Sequence, residues 1–130
     1  MSEAIIFPDA EALLIDLFVD ELPGFGYSIP VASRVPNPRP STFVRVMRAG
    51  GVSRDRVIDV PTVAVEAWAP TETAAIALAS TLRGILHAAE SSRGIYSVGE
   101  FAGPANLPDP ATSQIRYTAT YSVGVRGTAA

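Results

Sequence analysis

The sequence predicts an α+β domain: a mostly antiparallel sheet of four to five strands, a long β-hairpin among them, with two helices packed on one face. Three observations carry this expectation. Between Pro61 and Ala89 the apolar period changes from two to about 3.6 at Pro70, so one strand feeds one long helix. Gln114 to Arg126 alternates strictly, with Ile115, Tyr117, Ala119, Tyr121, Val123 and Val125 on one side and polar residues on the other. The elements follow in the order helix, hairpin, helix, hairpin, which segregates helices from an antiparallel sheet. At 130 residues the chain reads as a single domain, with no internal repeat, linker or low-complexity tract.

The first helix is expected over about residues 8 to 22, with Pro8 in its first turn and Pro23-Gly24 as its stop. Apolar residues cover most of its circumference, while Asp9, Asp16 and Asp20 form one narrow acidic strip. A helix apolar nearly all round is buried on more than one side, by a sheet and, in so small a domain, by a second chain. Residues 24 to 41 are rich in proline and favour extended chain, with a short edge strand between Tyr27 and Val35. Thr42 to Arg48 alternates as a strand, Ala49-Gly50-Gly51 turns, and Val57 to Trp68 returns, which places Arg45, Arg48, Arg54 and Arg56 together at the hairpin end.

The second helix starts at Thr71, a good N-cap, with Glu72 at its positive end, and the segment ends by Gly94. Ala75, Leu78, Ala79, Leu82, Ile85, Leu86 and Ala89 form one stripe to be buried against the sheet. Ala77, Ser80, Thr81, Gly84 and Ala88 form a second stripe of small side chains. Glycine inside a helix costs about 1 kcal/mol relative to alanine. The stripe is either a solvated face or the place of a close helix contact, within the fold or across a subunit boundary. Ile95 to Phe101 is expected as a strand, and the proline-rich stretch from Gly103 to Thr112 as a loop.

Composition narrows the chemistry. Of the residues, 48% are apolar and 18% charged, and no apolar run approaches the roughly 20 residues of a membrane-spanning helix. No basic region precedes the first apolar residues, so no secretory signal is expected. There is no cysteine, which excludes thiolate metal sites and thiol catalysis, and all ten basic residues are arginine, which excludes Schiff-base chemistry. A net charge of -3 has the wrong sign for a dedicated nucleic-acid binder.

The single histidine, His87, lies off the apolar stripe and reads as a surface residue. With Glu90 it has i, i+3 spacing, but two ligands do not make a metal site. No nucleophile turn accompanies it, and Gly24-Phe25-Gly26 lacks the third glycine and the preceding strand of a dinucleotide fingerprint. Asp55, Asp59, Glu66, Glu100 and Asp109 are scattered and give no acid/base pair by spacing. No catalytic residue, cofactor or metal is therefore expected. Trp68 reads as core filler or as an interface anchor. The four hairpin arginines read as a solvated turn, a salt-bridging docking surface or a phosphate contact. One docking hypothesis follows from the charges: the arginine hairpin of one subunit meets the Asp9, Asp16, Asp20 strip of a neighbour.

The segments RVPNPRPSTFVRVMRAGG and VIDVPTVAVEAWAPTETAAIALASTLRGIL resemble the tail terminator proteins of long-tailed, siphovirus-type bacteriophages, especially those of actinobacterial phages. The carriers are the run from Val35 to Pro40, the Phe43 to Val46 strand, Gly50-Gly51, the Val65 to Trp68 strand and the alanine-rich helix. The resemblance implies a subunit of a homo-hexameric ring that caps the tail tube, stops its polymerisation and joins tail to head. Its partners would be the tail tube protein and a head-completion or neck protein, with DNA passing through the lumen without sequence-specific binding. It implies no membrane partner and a place in the virion at the head-tail junction, after assembly in the host cytoplasm. It brings no catalytic residue, so the interface candidates remain Asp9, Asp16, Asp20, Arg45, Arg48, Arg54, Arg56, Trp68, Ala77 and Gly84. Two other readings stand beside it. One is a head-closure or adaptor protein at the same junction. The other is a small ligand-binding or enzymatic α+β domain, whose mark would be a deep pocket with converging titratable groups.

Overall fold

A computed structural model describes residues 4–55 and 57–129. In chain order the elements are β1 (Ile5–Ile6), α1 (Ala10–Glu21), a 3-10 turn (Leu22–Phe25), β2 (Val31–Ala32), β3 (Phe43–Ser53), β4 (Ile58–Trp68), α2 (Glu72–Ala88), β5 (Ile95–Asn106), β6 (Arg116–Arg126) and β7 (Thr128–Ala129). Five strands form one sheet in the order β2-β3-β4-β6-β5, while β1 and β7 pair separately. Every pairing is antiparallel except β2 with β3. Because β4 and β5 both run antiparallel to β6 between them, they are parallel to each other. The segment β4-α2-β5 is thus a crossover, and it lays α2 back over the sheet. The architecture is the expected α+β fold, with α1 against β2 and β3 and α2 against β4, β5 and β6.

Each helix start has a polar cap. The Asp9 carboxylate accepts from the amides of Glu11 (2.9 Å) and Ala12 (3.3 Å), satisfying two donors that have no partner inside the helix. Pro8 therefore lies outside α1, where the sequence placed it in the first turn. At α2 the Thr71 hydroxyl accepts from Ala74 at 3.2 Å, as expected. The stripe from Ala75 to Leu86 is buried against Val63, Val65 and Ala67 of β4 and Ala119, Tyr121 and Val123 of β6. On α1, Leu14, Leu17 and Phe18 enter the same core, but Val19 stays 51% exposed. Within one chain α1 is buried on a single side.

Two strands run further than their alternation suggests. β3 continues through Gly50-Gly51 to Ser53 because a register shift between Arg48 and Gly50 bends it, with φ of 121° and 98° at the two glycines. What reads as a turn is a bulged strand. At Gly51 a Cβ would stand 2.7 Å from Pro61 Cα and Thr62 N and closer still to the Val60 carbonyl, so β4 passes too near for any side chain. β5 continues past Phe101 through Gly103 and Pro104 to Asn106. It tolerates the proline because it is an edge strand with three register shifts against β6. The ladder between β1 and β7 has no counterpart in the sequence reading.

Candidate functional site

The sheet face away from the helices carries a second, polar layer. Strand alternation puts Phe43 and Arg45 of β3, Glu66 and Trp68 of β4, and Arg116 and Thr118 of β6 side by side on that face. Glu66, 4% exposed, accepts from Trp68 Nε1 at 3.1 Å and from Arg116 Nη1 at 3.2 Å, with Arg45 Nη1 at 3.6 Å. Trp68 is 1% exposed and stacks on Phe43 with ring centroids 4.9 Å apart. The guanidiniums of Arg39 and Arg116 each lie 5.4 Å from its ring centre. Arg39 also donates to Gln114 Oε1 at 2.8 Å and Thr112 Oγ1 at 3.3 Å. The proline run and the loop before β6 are thereby stitched over the outer face. Trp68 is core filler, but of this outer layer and not of the helix side. Beside Glu66, the buried Thr118 hydroxyl has no hydrogen-bond partner among the described residues.

Among the described residues, the expected arginine cluster does not form. Arg45 and Arg48 are three residues apart on a strand and so point to opposite faces. Arg45 is committed to Glu66 and to the Ser33 carbonyl (3.4 Å), and Arg48 to the buried Asp59 (3.1 Å). The main-chain amide of Arg48, on the edge of β3 beyond β2, donates to Glu11 of α1 at 2.8 Å. Arg54 alone of the described arginines remains at the hairpin tip, its guanidinium 5.8 Å from the Tyr96 ring centre; Arg56 lies outside the described residues. Next to it, amides of Val57 and Ile58 hold the Asp55 carboxyl below its ordinary range. The acidic strip is divided too. Asp9 is the cap of α1, Asp20 pairs with Arg93 at 2.7 Å, and Asp16 is exposed.

On α2 the exposed His87 places Nε2 3.0 Å from Glu100 Oε1 of β5, and Arg83, one turn earlier, grips the same carboxylate with two nitrogens. The hydrogen bond from Arg83, and after it that of His87, holds the Glu100 carboxyl below its ordinary range. Burial, reinforced by the Glu100 charge, pushes the neighbouring Tyr121 hydroxyl up to about 12. His87 is the surface residue the sequence suggests, but its partner is Glu100, not Glu90, whose carboxylate accepts from Val98. The i, i+4 spacing of Arg83 and His87 was the available signal. Glu100 had none, because its place depends on the irregular register of β5.

Ala77 and Gly84 are exposed, and a Cβ on Gly84 would meet nothing within 4 Å. Among the described residues, the close helix contact considered for this face is not made at Gly84. Gly84 instead lines a groove of about 170 Å³ with Leu17, Phe25, Ile85 and Ala88, flanked by Glu21 and Arg93. A broader hollow of about 400 Å³ beside it is bordered by Arg93, Tyr96 and Arg126. Among the described residues, no three His, Cys, Asp or Glu side chains are grouped to hold a metal ion, and no helix is long and apolar enough to cross a membrane. No protein-family model matches the chain, and no curated protein matches it.

Proposed function

We propose that this chain is a tail terminator of a long-tailed bacteriophage, a structural subunit that assembles as a homo-hexameric ring on the finished tail tube. The observation that carries the reading is the folding of the resembling segments as one body. The run from Val35 to Pro40 closes over Trp68 through Arg39, β3 and β4 form the hairpin, and β4 leads directly into α2. Large apolar side chains left at the surface support an assembling subunit: Val19 and Phe25 on the α1 side, Val52 at the hairpin and Phe101 on β5, between 51% and 78% exposed. In this role the protein acts by occlusion and by adaptor binding. The ring covers the growing end of the tube so that no further tube protein adds, and its opposite face receives a neck protein of the filled head. DNA crosses the lumen without sequence-specific contact.

The test is to add the purified protein to polymerising tube protein from the same genome. Tubes should stop growing, and electron micrographs should show a ring at one end of each. Tubes that elongate at the same rate with and without the protein overturn the reading.

A further inference from the structure

Gly84 sits in the middle of α2, where glycine costs about 1 kcal/mol relative to alanine, yet among the described residues nothing comes near enough to require it. A side chain there would instead stand in the groove between α1 and α2, whose apolar floor is Leu17, Phe25, Ile85 and Ala88. A cavity of about 150 Å³ accepts a benzene molecule, so the roughly 170 Å³ of this groove has room for one compact apolar side chain. The α1 rim of the groove is acidic. Glu21 lines it, Asp20 is adjacent in sequence and Asp16 lies about one turn earlier. Arg93, which is the one cation on the rim among the described residues, is already paired with Asp20 at 2.7 Å and Glu21 at 3.5 Å.

Two residues near the tip of the β3-β4 hairpin have the complementary character, while the Asp55 carboxylate beside them is taken up by the amides of Val57 and Ile58. Val52 is 78% exposed, and Arg54 follows two residues later, about 7 Å along an extended chain. With Val52 in the groove, Arg54 comes within reach of the carboxylates on α1. We infer that the groove of one subunit receives the hairpin tip of a second copy of this chain, with Val52 entering beside Gly84 and Arg54 meeting Asp16 and Asp20. The two surfaces differ, so the contact is heterologous and propagates from copy to copy until it closes. The inference rests on the ring reading and supplies its subunit contact.

Because the chain has no cysteine, the contact can be trapped selectively. Val52→Cys and Ala88→Cys variants, each oxidised alone, should stay unlinked, while their mixture forms a disulfide between the two. Gly84→Leu, which fills the groove, should lower the yield at least about tenfold. Arg54→Glu should weaken self-association by about threefold, and Asp16→Arg on the same chain should restore it. A mixture that does not cross-link, or Val52→Cys linking to itself as readily as to Ala88→Cys, overturns the inference. If rings form without the mixed disulfide, the hairpin contact fails and the ring stands. If the disulfide forms but the protein neither makes rings nor ends tubes, the contact stands and the terminator reading fails.

Discussion

Gly51 and Gly84 have opposite requirements, which the sequence alone cannot separate. At Gly51 a left-handed φ of 98° coincides with the backbone of β4 directly against the missing side chain, so Gly51→Ala should lower unfolding free energy by at least about 2 kcal/mol. At Gly84 the backbone is helical and the space is open, so Gly84→Ala should raise it by roughly 0.5–1 kcal/mol. Urea denaturation of the two variants beside the parent measures both shifts. Glu66 is the other position where one atom group decides much. It is buried among Arg45, Arg116 and the Trp68 indole, and Glu66→Ala leaves two guanidiniums without their anion. Their partial exposure moderates the loss, which should be about 3 kcal/mol by the same denaturation. Glu66 looked like one of several scattered carboxylates because its partners come from strands 21 and 50 residues away.

Among the elements, α2 and β6 were legible because each meets one environment per face, and a regular environment writes a regular period. β3 and β5 were cut short for the converse reason. β3 is on an edge of the sheet beyond the short β2 and β5 along its whole length, and there bulges and even a proline are tolerated, so the glycines and Pro104 that read as stops are carried inside the strand. β5 is held to α2 by Arg83 and His87 on Glu100, an attachment with a pH signature. The Glu100 carboxyl is held below its ordinary value, so its contribution to stability is complete above the unfolded carboxylate range. It is lost as pH falls from about 4.5 through the lowered folded-state value. Glu100→Gln should therefore be less stable than the parent at neutral pH and should lose less on acidification. Thermal melts from pH 7 down to pH 2 compare the two slopes; parallel slopes would sink this account.

At the scale of the molecule, the sheet separates two cores of different chemistry: apolar beneath the helices, ionic and aromatic on the outer face. Alternation in β4 and β6 announced the first. The second was hidden, because Arg39 lies in a proline-rich segment with no periodicity and meets Gln114, 75 residues further on, only once the sheet has formed. The proposed function was less legible still, since a subunit that would work by covering surface needs no constellation of reactive groups, and apolar contact residues are spaced by the partner's shape. The chain's only tryptophan lies in the outer layer, so the protein carries a built-in optical probe of that layer alone. Its emission should shift to the red as concentrated salt loosens the arginine contacts, while far-ultraviolet circular dichroism, which follows the helices on the other side, holds steady. Two separated salt titrations would make the outer layer a lid that opens without unfolding the body beneath it, and coincident ones would make the chain a single cooperative unit.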